Sequence, residues 1–213
     1  MNPARRFIQY WKKFGFYNIL RKLVYRLVQW VGLLFRFARR CRFYFRTQSW
    51  IRGVGRGIVI RGIGNHIKFQ YLTYLYENVV IEISEHARLQ VGNHFTLSYG
   101  GIIACHHSIE IGDYVMIGEY TSIRDTSHNY ATEGIAFMTQ QDVSLPIKIG
   151  NNVWIGRGCI IFPGTLIEDG VIVGAHSIVK GHLKSNNIYA GAPLRLVSQI
   201  YTKDESGNAP VLL

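Results

Sequence analysis

The stretch Ile149-Gly-Asn-Asn-Val-Trp, Ile155-Gly-Arg-Gly-Cys-Ile, Ile161-Phe-Pro-Gly-Thr-Leu, Ile167-Glu-Asp-Gly-Val-Ile, Val173-Gly-Ala-His-Ser-Ile, Val179-Lys-Gly-His-Leu-Lys184 reads as six consecutive blocks of six. Position one is Ile or Val in every block. Position five runs Val153, Cys159, Thr165, Val171, Ser177, Leu183, mostly small or β-branched. Neither a helical period of 3.6 nor strand alternation gives this pattern. A period of six implies a short extended segment, then a corner, repeated. Three such sides close a coil of about 18 residues. The aliphatic at position one then points to the axis, and the smaller residue at position five fills the space beside it. A Gly or Asn near the corner tolerates a positive φ. Coils stack at strand spacing, so each supports only its neighbours.

The pattern extends upstream. Val91, Leu97 and Ile103 are six apart, as are Ile111, Ile117 and Ile123. A second signature marks coil starts: Leu89-Gln-Val91-Gly, Ile109-Glu-Ile111-Gly and Ile147-Lys-Ile149-Gly. The first two lie 20 residues apart, one coil plus a two-residue bulge. The last two lie 38 apart, so extra residues interrupt the repeat between Arg124 and Leu145. Gly53 to Gly64 carries weaker traces, read as the first, irregular coils. The expected body is residues 51–197, and the 22 glycines against 5 prolines suit a fold of short repeated segments. The tail from Ser198 to Leu213 carries no clear signal and reads as a short helix or as unstructured chain.

Charge is distributed unevenly. Sixteen basic residues, Arg5 through Lys68, precede the first acidic one, Glu77; the rest of the chain holds 8 basic and 13 acidic residues. The formal charge of +11 thus describes a basic arm on a mildly acidic body. Within residues 1–50, Phe7, Trp11, Phe14, Leu20, Val24, Leu27, Val28, Val31, Leu34 and Phe35 keep a rough i, i+3, i+4 rhythm, interleaved with Arg and Lys. That is an amphipathic helical arm of the kind that lies in an anionic membrane interface, where each cation contributes about 1 kcal/mol. The alternative is docking on its own domain or on a sister subunit. No nucleic-acid-binding module is recognisable, so nucleic acid is not expected as a partner. The longest uncharged run in the arm, Leu27 to Phe35, is far short of a membrane span, and no signal peptide is read. Cys41, Cys105 and Cys159 are odd in number and lack disulfide-like spacing, which suits a reducing compartment. The expected location is cytoplasmic, peripheral at the inner face of a bacterial membrane.

These blocks resemble the hexapeptide-repeat acyltransferases over about residues 80–197. Pro146-Ile-Lys-Ile-Gly-Asn-Asn-Val-Trp154-Ile-Gly156, followed by Pro163-Gly-Thr and Gly191-Ala-Pro193, looks like the maltose and galactoside O-acetyltransferase branch and polysaccharide O-acetyltransferases. The resemblance implies an all-β, left-handed parallel β-helix, a homotrimer with active sites between subunits, and acetyl transfer from acetyl-CoA to a sugar. The left hand comes from the resemblance alone, because the period does not fix it.

Residues 125–145 break the sixfold period, and insertions at a solenoid corner often carry function. His128 sits there. Attack of a hydroxyl on a thioester needs a base, and imidazole suits that task near neutral pH. In the family, a histidine of this loop, shortly after an Ile-Gly-x-x-Val-x-Ile run, is the catalytic base. Here the run is Ile111-Gly-Asp-Tyr-Val-Met-Ile117 and His128 stands at the matching place, with Asp125 as its candidate orienting partner. By position, Trp154, Gly156, Arg157, Ala175, Lys180 and Arg195 are the candidate coenzyme A contacts, Lys180 and Arg195 through its phosphates. Ser98 and His106 fall where the family often has an asparagine and an acidic residue that contact the acceptor. Those two departures leave the acceptor sugar open. His176 and His182 occupy outward repeat positions and are expected at the surface.

Readings from other classes remain. A γ-type carbonic anhydrase uses a similar coil but would need three histidine ligands, two of them five apart; Ile123 and Glu133 stand at those offsets from His128, so no metal is expected. An N-acetyltransferase on an amino sugar and a non-catalytic trimeric scaffold at a membrane are the others.

Overall fold

The computed structural model describes residues 3–62, 66–130 and 133–200. Ile63 and Gly64 of the expected first coils, Ala131 and Thr132 of the expected loop, the side chains of residues 1–17 and 19, and the tail from Tyr201 lie outside the described residues. The chain divides into two units, Met1–Ala38 and Arg39–Leu213.

The larger unit is a solenoid of parallel strands on three faces, the left-handed β-helix of the repeat family. The first face has eight strands, including Phe95–Leu97, Met116–Ile117, Trp154–Ile155 and Ile172–Val173. The second face has six, including Val80–Ile83, Ile102–Cys105, Ser122–Arg124 and Ile160–Ile161. The third also has six, including Arg88–Val91, Ser108–Ile111 and Ile147–Ile149. The three coil-start signatures stand directly above one another: Val91 pairs with Ile111, and Ile111 with Ile149. The 38-residue gap is therefore one coil with its surplus looped out.

The sixfold pattern is the core. Every position-one residue from Ile149 to Val179 is at most 1% exposed, and the position-five residues Val153, Cys159, Thr165, Val171, Ser177 and Leu183 are also buried. Burial of each large aliphatic is worth about 1.5–3 kcal/mol. Corners are closed at position four, where Asn152, Gly158, Gly164, Gly170 and His176 all have φ between 53° and 76°. One corner also carries a side-chain ladder. Asn93 N donates to Asp113 Oδ1 (2.6 Å), Asp113 N to Asn151 Oδ1 (2.9 Å) and Asn151 N to Asp169 Oδ1 (2.6 Å). This explains the Asn or Asp two residues after each coil start: its oxygen meets an amide of the preceding coil that the strand ladder does not reach.

An open solenoid end exposes unpaired backbone and core, and needs a cap. Here the cap is the last part of the helix Pro3–Thr47. Phe43 is buried edge-on against Phe69, with centroids 5.6 Å apart. Arg39 Nε donates to the Val54 carbonyl (3.0 Å) and Arg40 Nε to the Ile51 carbonyl (2.9 Å), with the Arg40 guanidinium 4.6 Å over Trp50. The body therefore begins at Arg39, earlier than the boundary at residue 51 read from composition. Residues 39–50 dock on their own domain. At its other end the body also runs slightly further than expected. Ser198 and Gln199 extend the strand Arg195–Gln199, which pairs antiparallel with Asn187–Ala190.

In the smaller unit, Leu20, Leu23, Val24, Leu27, Val28, Val31, Leu34 and Phe35 are exposed. At about 100° per residue they share one side of the helix, while Arg21, Lys22, Arg26 and Arg36 occupy the other together with the exposed Tyr25, Leu33 and Phe37. No helix among the described residues is long and apolar enough to cross a membrane.

Candidate active site

The interruption after Arg124 is held at its base. Thr126–Ser127 pairs antiparallel with Val143–Ser144, with Thr126 opposite Ser144 and Ser127 opposite Val143. Continuing that register by one residue sets His128 against Asp142. Their side chains meet at 2.7 Å, His128 Nδ1 to Asp142 Oδ1. A carboxylate only accepts, so the shared proton sits on Nδ1 and the Nε2 lone pair is left free for another proton.

Asp142, not Asp125, is thus the carboxylate at His128. Asp125 is fully buried. Its oxygens accept the backbone N–H groups of His106 (2.7 Å), His107 (2.8 Å) and Ser108 (2.8 Å). The strand direction explains the difference: Asp125 still follows the coil wall and points inward, while the chain leaves the wall only after it. No spacing marks Asp142, because the loop has no period and the pairing depends on its two ends closing.

His128 and Asp142 border a cleft of about 540 Å³ on the second face, lined also by Glu82, His106, Arg124 and Phe162. His106 is held by Ser84 Oγ (3.0 Å from Nδ1), and its Nε2 lies 3.5 Å from Glu82 Oε1. Arg124 and Glu82 face outward from facing strands, with Ala104 between them in register. These two charged lining residues were not singled out from sequence. The row of outward side chains one position after each buried aliphatic would have located them.

Most of the other expected site residues lie on the first face. Ser98, Trp154, Gly156, Arg157 and Ala175 line one groove of about 470 Å³. None of its lining residues is shared with the His128 cleft. Gly118, Gly156 and Gly174 form its bare strip beside Met116 and Trp154. A Cβ on Gly156 would stand 2.6 Å from the Ala175 backbone nitrogen, so this close approach requires glycine. Gly156→Val is expected to destabilise the fold by about 1–3 kcal/mol. An unchanged thermal midpoint would contradict that packing. Of the remaining candidates, Arg195 lies on the same sheet, two strands beyond the groove. Lys180 is exposed after the strand Ile178–Val179 on the second face. The structure thus brings His106 together with His128, and Ser98 together with Trp154, Gly156, Arg157 and Ala175, but keeps these two sets apart. His176 and His182 are exposed, and His182 Nε2 pairs with Glu168 (2.6 Å).

Among the described residues, no group of three or more His, Cys, Asp or Glu side chains is placed to hold a metal. The thiols of Cys105 and Cys159 are buried away from both the cleft and the groove. Burial, reinforced by Asp125, pushes the Cys105 thiol up to about 12, and burial raises Cys159 as well. Both are expected to resist dithionitrobenzoate at pH 8 in the folded protein and to react on denaturation. Fast labelling of either in the native state would contradict their burial.

Residues 146–181 match the family model for bacterial transferase hexapeptide (six repeats). The chain is 33% identical to the galactoside O-acetyltransferase of Escherichia coli over 56% of its length and 58% of that enzyme. It thus spans little more than half of that relative. It is 28% identical to a putative lipopolysaccharide biosynthesis O-acetyltransferase of Escherichia coli, over 52% of this chain and 71% of that one. It is 30% identical to a probable macrolide acetyltransferase of Lysinibacillus sphaericus, over 47% of this chain and 68% of that one. Its fold is shared with an N-acyltransferase of Bacillus cereus solved with a dTDP-amino sugar and coenzyme A, at a TM-score of 0.59 and 18% identity over 72% and 84% of the two chains. The repeat, its burial pattern and these relatives together place the chain in the hexapeptide-repeat family of bacterial transferases.

Proposed function

We propose that this chain is an O-acetyltransferase that moves the acetyl group of acetyl-CoA to a sugar hydroxyl, with His128 as general base. The observation that carries the reading is the His128–Asp142 pair at the edge of a cleft. The acceptor hydroxyl gives its proton to His128 Nε2 as its oxygen attacks the thioester carbonyl carbon. The tetrahedral intermediate collapses with cleavage of the C–S bond, and the imidazolium returns the proton to the departing coenzyme A thiolate. Asp142 holds the tautomer and supports the transient positive charge.

The groove on the first face is the proposed coenzyme site. Trp154 and Ala175 would form its walls, with Arg157 and Arg195 of the same copy, and Lys180 from the second face of the adjoining copy, available to the phosphates. The groove and the His128 cleft lie on different faces of one chain, so a complete site needs the groove of one copy against the cleft of another. A homotrimer supplies that arrangement by a threefold heterologous contact. His106 and Ser98 would then approach the acceptor from opposite sides.

The acceptor is proposed to be a lipid-linked oligosaccharide of surface polysaccharide assembly. The support is the helix of the smaller unit, with its exposed apolar side and opposing cations, together with the lipopolysaccharide O-acetyltransferase relative. The enzyme would work peripherally at the inner face of the cytoplasmic membrane.

The test is acetyl incorporation from labelled acetyl-CoA into a panel of free sugars, amino sugars and lipid-linked oligosaccharides, read by mass spectrometry. Ester-linked acetyl on the lipid-linked acceptors is expected. Amide-linked acetyl on amino sugars alone would replace the reading with N-acetylation, and no transfer to any acceptor would contradict it.

A further inference from the structure

The base of the solenoid holds a second cleft, about 230 Å³, that the proposed reaction does not use. Its cationic wall is Arg39, Arg42 and Arg46, which recur at the three- and four-residue spacing that puts side chains on one face of a helix. Its floor is apolar backbone and side chain from Val54 to Ile60. No acidic side chain lines it.

The three arginines are not equivalent. Arg39 is pinned through Nε to the Val54 carbonyl, so its guanidinium is held at the cleft with other N–H groups to spare. Arg42 and Arg46 are exposed and have no hydrogen-bond or ion-pair partner among the described residues. Arg40, on another side of the same turn, is by contrast held by both the Ile51 carbonyl and the Trp50 ring. Capping the solenoid therefore explains Arg39 and Arg40 but leaves Arg42 and Arg46 unused. Like charges gathered over an apolar floor repel one another unless an anion joins them, and guanidinium forks match phosphate oxygens in pairs.

We infer that the Arg39–Arg42–Arg46 cleft binds a phosphate ester or diphosphate whose attached chain is apolar. The arginines would hold the phosphate oxygens, and the Val54–Ile60 floor would take the first carbons of the chain. Two sources share this chemistry: the diphosphate of a lipid-linked acceptor and the headgroup of an anionic phospholipid. The inference deepens the membrane-surface reading above but does not depend on the helix of residues 1–38.

The experiment is calorimetry of the full chain with inorganic pyrophosphate and with farnesyl diphosphate, alongside co-sedimentation with phosphatidylcholine vesicles with and without phosphatidylglycerol. Saturable binding of both diphosphates is expected, tighter for farnesyl diphosphate. The double variant Arg42→Ala/Arg46→Ala should weaken it by about tenfold to a hundredfold. The variant Arg42→Lys/Arg46→Lys, which keeps the charge but loses the fork, should fall between. Arg21→Ala/Lys22→Ala/Arg26→Ala should keep diphosphate binding, whatever it does to vesicle binding; loss of vesicle binding there speaks to the helix alone. If Arg42→Ala/Arg46→Ala weakens farnesyl diphosphate binding more than it weakens phosphatidylglycerol-vesicle binding, the cleft is assigned to the lipid-linked acceptor, and the reverse assigns it to a phospholipid headgroup. Absence of saturable binding to either diphosphate, or equal binding by the alanine double variant, would overturn the inference.

Discussion

His128→Ala is expected to lower kcat by about a hundredfold to ten-thousandfold while leaving the fold intact. The side chain is largely exposed on a loop, so its removal opens no core cavity; the loss is that of a proton acceptor. Asp142→Asn should cost less, about tenfold or more. The amide would offer Nδ1 a donor in place of an acceptor and so favour the tautomer that has its proton on Nε2. Both effects are read in steady-state acetyl transfer, with circular dichroism as the control for folding. Near-normal turnover of His128→Ala would remove His128 from the chemistry. A normal rate for Asp142→Asn with an inactive His128→Ala would leave the base but discard its partner.

Asp125→Ala should behave in the opposite way, failing in stability first. Three part-buried backbone N–H groups depend on this fully buried carboxylate, and an orphaned buried donor costs about 1–3 kcal/mol. A loss of about 3 kcal/mol or more is expected, which for a chain of this size lowers the thermal midpoint by about 6–12 °C. Asp125→Asn should recover only part of it, since an amide presents a single acceptor oxygen and two donors of its own. The corner at His106 would loosen, so residual activity measured at low temperature should show a raised KM for the acceptor. A midpoint within about 2 °C of the parent would mean that the carboxylate does not hold this corner.

The contrast between the two aspartates shows what the sequence carries and what it does not. The period of six made the axis legible: residues such as Ile155 and Val173 were assigned to the core from spacing alone, and all are buried. It also located the insertion, because the coil-start signatures at Ile109 and Ile147 are too far apart for one coil without extra residues. Inside the insertion there is no period, so spacing could not decide which carboxylate meets His128. That depended on the antiparallel closure of Thr126–Ser127 on Val143–Ser144. The coenzyme candidates came from resemblance, position by position. The four on adjacent coils of the first face share a groove, while Lys180 and Arg195 lie beyond it. The arm's composition marked it as amphipathic but could not mark where it stops being an arm. Only packing shows that, through Phe43 on Phe69 and the arginine bonds to the first coil.

The separation of the cleft and the groove is the feature on which the proposed mechanism turns. It is tested most directly by subunit complementation. His128→Ala removes the base and leaves the groove. Ala175→Trp fills the groove, which Ala175 lines from an exposed position, and leaves the base. Each variant alone should be nearly inactive. If the two are dissociated together and allowed to reassemble in equal amounts, random threefold assembly puts an intact base against an intact groove at about a quarter of the interfaces. Recovery of about a quarter of the parent activity is expected. Activity no higher than that of the separate variants would contradict a site shared between copies of the chain.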